Sequence, residues 1–265
     1  VLFRSPVEPT KLITLFIKIP CALIAMVIAF RIKKLSNYIL NKLFFYAYFA
    51  WGITIGLDAL LFVIAPIDPI LFQIANILRD IDLLVYCITP FMLHLSSYVI
   101  NDGEEIGLMA NKKRLIIPLI LYAVIATGVI LNDRIVVENI NTGATIDPSM
   151  LPVDFFMVPF KVKFNQNLFA YVFYICFVLW FFYAVSGMFS FQKQLSGMKK
   201  TRARQIMWGA LCIPLGILYF IFVAFFKVST EINIILMIIG QLIYLSAPIL
   251  TFLGMRIQVS PKIEA

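Results

Sequence analysis

The chain has 265 residues, 62% of them apolar and only 14% charged, with a formal net charge of +8. Soluble domains run at about 45–50% apolar and about 25% charged. The composition therefore excludes a disordered chain, a nucleic-acid-binding tail and a highly charged soluble enzyme. It predicts an all-α integral membrane protein.

Residues 1–5, Val-Leu-Phe-Arg-Ser, read as a non-native leader, because a common sequencing adapter encodes that pentapeptide in one frame. They are set aside from fold reasoning. Residues 6–256 are then expected to form one seven-transmembrane helix bundle, with 257–265 as a cytoplasmic tail.

A bilayer core needs about 20 apolar residues per helix. Seven segments qualify, at about 11–31, 42–66, 69–100, 114–132, 167–192, 205–227 and 231–256. Pro66 and Pro69 bracket a short turn between the second and third spans. Pro20, Pro90, Pro118, Pro214 and Pro248 lie inside spans, where membranes tolerate them as kinks. Cys21, Cys87, Cys176 and Cys212 all sit in apolar runs without a C-x-x-C pair, which argues against a zinc ribbon or disulfide framework.

Basic residues set the expected direction. Arg31, Lys33, Lys34, Lys42, Lys112, Lys113, Arg114, Lys193, Lys199, Lys200, Arg202, Arg204, Arg256 and Lys262 fall on one side. The other side holds only Lys11, Arg134, Lys161 and Lys163, besides Arg4 of the leader. The positive-inside rule then puts the N-terminus outside and the C-terminus in the cytoplasm of a cell membrane.

One outer connection, 133–166, is long. Its stretch from Ile135 to Ile146 reads as two short strands about an Asn-Thr-Gly turn. An aromatic run, Phe155 to Phe160, follows. It fits an interfacial belt or a lid over an outward-facing pocket.

The third span is the most informative. At about 100° per residue, Asp82, Tyr86, Asn76, Asp80 and Gln73 share the flank around Arg79, while Ile74, Ile77, Ile81 and Leu84 fill the opposite arc. Three mid-membrane charges cost about 8–10 kcal/mol on insertion scales, and some fifteen apolar residues return about 5–9 kcal/mol. The polar flank must therefore face the bundle and find partners. At about 1.5 Å per residue, Lys18, Asp58, Arg79, Asp80, Asp82 and Gln241 fall in one layer of the outer half. A buried network of Lys18, Asp58, Arg79, Asp80 and Asp82 is expected, with Tyr86 and Gln241 beside it. It would either lock the bundle or hold a ligand, ion or proton. Three acids against two bases leave a spare carboxylate for a cation or proton. His94, the only histidine, reads as a hydrogen-bonded packing residue beside Ser96 and Ser97.

Nucleotide-binding glycine loops, a G-x-S-x-G elbow and an H-E-x-x-H motif are missing. The seventh span has no Schiff-base lysine, which excludes a retinal protein. No cofactor and no metal is expected.

The fifth span, Tyr171 to Phe191, runs into the basic turn Lys199-Lys200-Thr201-Arg202-Ala203-Arg204-Gln205-Ile206, followed by Trp208 to Gly216 with Pro214. With seven spans and the long fourth-to-fifth loop, this layout resembles the seven-helix sensor region at the N-terminus of many prokaryotic histidine kinases. In that family a basic turn with an Arg/Gln pair often precedes a helix bearing Gly and Pro. No kinase segment follows Arg256, and Pro261 would interrupt a signalling helix. The chain is then either truncated at both ends or a free-standing module with a separate output partner.

The resemblance implies a sensory module. A signal would bind near Asp58, Arg79 and Asp82, and the helices carrying Lys199, Lys200, Arg202 and Arg204 would relay it. A transporter or channel using the same charge layer is the second expectation, and a lipid-modifying enzyme or accessory subunit the third. The expected partners are the lipid bilayer, a cytoplasmic signalling protein and a second copy of the chain, with no nucleic acid.

Overall fold

The computed structural model describes residues 9–65, 68–104, 113–139, 142–150, 160–224 and 230–256. The leader 1–5, the tail 257–265 and residues 155–159 of the aromatic run lie outside them. Seven helices form: α1 Pro9–Leu35, α2 Ile39–Ile64, α3 Pro69–Glu104, α4 Lys113–Asn132, α5 Leu168–Lys193, α6 Gly197–Ala224 and α7 Thr230–Arg256. All seven are long and apolar enough to cross a bilayer. The protein is a multi-pass membrane protein built as a helix bundle.

Six helices close a ring in the order α1-α2-α3-α5-α6-α7, and α4 packs against α3 and α5 from outside. Exposed apolar side chains clothe the perimeter. On α3 they are Ile70, Ile74, Ile77, Ile81 and Leu84, so this helix turns its apolar arc outward and its polar flank inward.

The ends of the helices follow local chemistry. Asp68 accepts from the Leu71 amide at 2.8 Å and Pro69 opens α3, an acceptor cap followed by proline at the first helical position. Asn167 caps α5 by accepting from the Ala170 amide at 3.0 Å. The largest difference from the expected spans lies in α6, which begins at Gly197 rather than near residue 205. Apolarity alone marks where lipid begins. Lys, Arg, Ala and Gln are good helix formers and carry α6 beyond it.

The connection between α4 and α5 holds a two-stranded antiparallel ribbon, β1 Asp133–Asn139 and β2 Phe160–Gln166. This corrects the expected pairing. Gly143 does turn the chain, at φ +70°, and Ile146 donates to the Val137 carbonyl at 2.8 Å. Yet residues 144–146 make only an isolated bridge, Glu138 to Thr145, and β1's full partner is β2. The β-branched and aromatic residues of both strands explain the choice. Ile135, Val137 and Val162 are buried over Leu61 of α2 and Ala75 of α3, so the ribbon plugs one end of the bundle, hereafter the ribbon end.

At mid-height an aromatic layer spans the ring. Tyr86 of α3 stacks on Phe177 of α5 at 4.1 Å and on Trp51 of α2 at 5.6 Å. Tyr244 of α7 meets Trp51 edge-on at 4.8 Å. Further toward the opposite end, Tyr48 and Thr251 share a hydroxyl hydrogen bond of 2.5 Å that ties α2 to α7.

The α6–α7 crossing depends on Gly209. A β-carbon there would meet the Ala247 carbonyl oxygen at 2.7 Å and the Thr251 amide nitrogen at 2.8 Å, backbone atoms with no room to yield. At Gly56 the nearest atom would be the Ala22 β-carbon at 3.7 Å. Gly209→Ala should cost about 1–3 kcal/mol, whereas Gly56→Ala should leave stability unchanged or raised. Denaturant titration of purified protein in lipid micelles measures both. Equal effects of the two substitutions would rule out the tight crossing.

Candidate functional site

Arg79 is buried at mid-height of the ribbon half, 6% exposed, and its fork reaches two carboxylates on different elements. Nη1 donates to Asp82 Oδ2 at 2.7 Å, one turn along α3. Nη2 donates to Asp133 Oδ2, at the start of β1, at 3.0 Å. The same nitrogen lies 3.0 Å from the Tyr174 hydroxyl of α5. That hydroxyl in turn donates to Asp133 Oδ2 at 2.6 Å, and Gln166 Nε2 donates to the same oxygen at 2.8 Å. The Phe164 ring lies 3.9 Å from the guanidinium carbon, so β2 covers the cation with a π-face. Asp82 and Asp133 are 1% and 0% exposed. Charges so deep persist only when paired and hydrogen-bonded.

A second ion pair, Lys18 of α1 with Asp58 of α2, lies on the far side of the same space. Between the pairs is a cavity of about 380 Å³, lined by Lys18, Asp58, Arg79, Asp82, Tyr86 and Gln241 among others. The structure thus gathers six of the seven expected network residues around one space.

Asp80 is the exception. It points to the rim and pairs with Arg134 of β1 at 2.7 Å, with its side chain about one-third exposed (34%). A step of one residue turns a helix by about 100°, which carries Asp80 off the face that Arg79 and Asp82 share. Asp133 takes its place in the buried layer. Asp133, Gln166 and Phe164 have no place in the expected network because 133–166 reads as an external loop, and Tyr174 has none because the fifth span, unlike the third, carries no charge that demands an inward partner. The available signal was the two-residue period of Asp133, Ile135 and Val137, which puts the carboxylate on the strand's buried face.

The basic residues Lys199, Lys200, Arg202 and Arg204 sit far from this cavity, in the first two turns of α6 rather than in a loop. Lys199 and Arg202 line a separate cavity of about 300 Å³ at the opposite end, with Val99 of α3 and Met188 of α5. His94 is fully buried between the two regions. Trp180 Nε1 donates to its Nδ1 at 2.8 Å, so the neutral ring carries its proton on Nε2, which faces the Tyr98 hydroxyl at 3.0 Å.

Several polar atoms around the larger cavity have no protein partner. They are Trp51 Nε1, Thr54 Oγ1, Arg79 Nε, Asp82 Oδ1 and Gln241 Oε1. Buried polar groups are nearly always satisfied, so five exceptions on residues that line one space set that space apart chemically. Among the described residues, no group of three His, Cys, Asp or Glu side chains could hold a metal ion.

No family model matches this chain, and no curated protein or solved structure matches it either.

Removing Arg79 would strand Asp82 and Asp133 together. Arg79→Met should cost about 3–5 kcal/mol, as expected for breaking a buried pair. Asp80→Asn should cost less than about 1 kcal/mol, since its partner is half-exposed and screened. Unfolding in micelles compares them. Similar losses for the two variants would show that burial does not separate the two ion pairs.

Proposed function

We propose that this protein is a sensory membrane module: a small ligand occupies the cavity at the ribbon end, and α6 and α7 carry its presence to the basic end. In this reading the ribbon end faces outside, the basic end faces the cytoplasm of a cell membrane, and the output passes to a cytoplasmic signalling partner.

The observation that carries the reading is the cavity with its unpartnered polar atoms above a closed floor. Trp51, Tyr86, Phe177 and Tyr244 form that floor, contributed by four helices. Beneath it the packing is dense, with Phe181 and Ala184 both at 0% exposure. A conduit would need a polar path across this layer. A receptor needs the opposite, a ligand held on one side of a packed layer that must shift as a body.

The coupling element follows from connectivity. Phe220 and Ile221 of α6 and Met237, Gln241 and Tyr244 of α7 line the cavity. These two helices are the ones locked at Gly209, and their far ends carry Lys199, Lys200, Arg202, Arg204 and Arg256. A ligand favouring one spacing of α6–α7 from α3 would bias the position of that basic surface.

A transporter is the second reading. It is favoured by the separate cavity at the opposite end, between α3, α5 and α6. Alternating access would require the aromatic floor to part.

Proteoliposomes carrying an imposed proton gradient separate the two. The sensory reading expects them to hold the gradient as long as empty liposomes do. A leak that Asp82→Asn abolishes would overturn that reading in favour of transport.

A further inference from the structure

We infer that the cavity at the ribbon end binds a small organic ammonium ion that also carries a hydroxyl or carbonyl acceptor. This rests on the reading of that cavity as a ligand site and names the chemistry of the ligand.

Charge is the first observation. Among the described residues, the cluster holds Asp58, Asp82 and Asp133 against Lys18 and Arg79. One negative charge is left over in a layer where an uncompensated charge is costly. A monovalent cationic guest removes it, and an anionic guest doubles it.

The orphan atoms give the second observation. Asp82 commits Oδ2 to Arg79 and leaves Oδ1 unpartnered, and Gln241 leaves Oε1 unpartnered. Both atoms are acceptors, on residues 1% and 4% exposed. An ammonium N–H satisfies each. On α2, Trp51 Nε1 is an orphan donor and Thr54 Oγ1 an orphan hydroxyl, on residues 2% and 7% exposed. Positions three apart share one helix face, so this pair meets a guest's acceptor together. The guest must therefore donate toward α3 and α7 and accept from α2.

Aromatic rings supply the third. Trp51, Tyr86 and Tyr244 line the same cavity, with the Tyr86 and Tyr244 ring centroids 5.6 and 4.8 Å from that of Trp51. Faces of Trp and Tyr attract ammonium groups, most strongly where water is excluded. A metal cation would gain little here, because hard ions require several oxygen ligands and the carboxylates among the described lining residues, Asp58 and Asp82, are already paired with Lys18 and Arg79.

The test uses full-length protein in nanodiscs at neutral pH, with four probes: ethanolammonium, tetramethylammonium, ethylene glycol and glycolate. Binding is read from tryptophan fluorescence and from the thermal unfolding midpoint. Ethanolammonium should bind most tightly, tetramethylammonium more weakly, and the neutral diol and the anion at least about tenfold more weakly than ethanolammonium. Asp82→Asn should weaken both cations about tenfold or more. Trp51→Phe keeps a ring and every charge but loses the indole N–H, so it should weaken ethanolammonium several-fold and tetramethylammonium, which carries no acceptor and meets only the poorer ring, clearly less, which covers the case in which Asp82→Asn fails to fold. Glycolate or the diol binding as tightly as ethanolammonium would overturn the ammonium assignment and leave the sensory reading standing. Binding of no probe, or cation binding indifferent to both substitutions, would also overturn it. The sensory reading itself fails separately, through the proton leak described above.

Discussion

The guanidinium of Arg79 is the interaction on which the arrangement of the ribbon end depends. Its planar fork can satisfy two carboxylates at once, and here those carboxylates come from α3 and β1. Tyr174 brings α5 into the same cluster, and Gln166 and Phe164 bring β2. An arginine in hydrocarbon demands compensation wherever it lies. Meeting that demand with groups from four elements fixes where a ribbon sits on a bundle that would otherwise leave it free. The charge cost therefore becomes a positional constraint.

Buried polar demand is concentrated in one half of the molecule. Above the aromatic layer lie the Arg79 and Lys18 ion pairs, the cavity between them and most of the unpartnered atoms. Below it, the polar groups are mostly closed off locally: Thr89 on the Ala47 carbonyl, Tyr48 on Thr251, His94 between Trp180 and Tyr98. The first half can gain from a guest, and the second has little to gain. Helices α6 and α7 run through both, and the glycine crossing brings their backbones into close contact. In the sensory reading, a perturbation at Gln241 would reach Arg256 through this tightly packed pair.

Much of this was legible in the sequence, for identifiable reasons. Seven apolar runs gave seven helices because the bilayer criterion depends only on length and hydropathy. The inward flank of α3 was legible because a helix has a single period, and insertion cost forces its charges together. Height along a helix is also simple arithmetic, so Lys18, Asp58 and Gln241 could be set in the Arg79 layer before any fold was known. What stayed hidden was the partner from outside the spans. Asp133 reaches the layer only because β1 folds back over the bundle, and strand pairing across twenty intervening residues has no local signature. The same limit explains why β2 was overlooked as the partner of β1 in favour of the nearby turn.

The exchange of Asp80 for Asp133 also explains how the ribbon finds its register. Neighbours on α3, Arg79 and Asp80, meet neighbours on β1, Asp133 and Arg134, in reciprocal pairs: Arg79 with Asp133 and Arg134 with Asp80. The strand's two-residue period turns Asp133 inward and Arg134 outward. The helix's 100° step does the same for Arg79 and Asp80. Sliding β1 by one residue would aim Arg134 at Arg79 and leave the guanidinium with one carboxylate instead of two, while turning Ile135 and Val137 out of the core. Asn76 strengthens the constraint, since its Oδ1 accepts from the Ile135 amide at 3.0 Å. Electrostatic pairing, hydrophobic alternation and one backbone hydrogen bond thus select the same register. That agreement holds Gln166 and Phe164 over Arg79 and gives the cavity its wall.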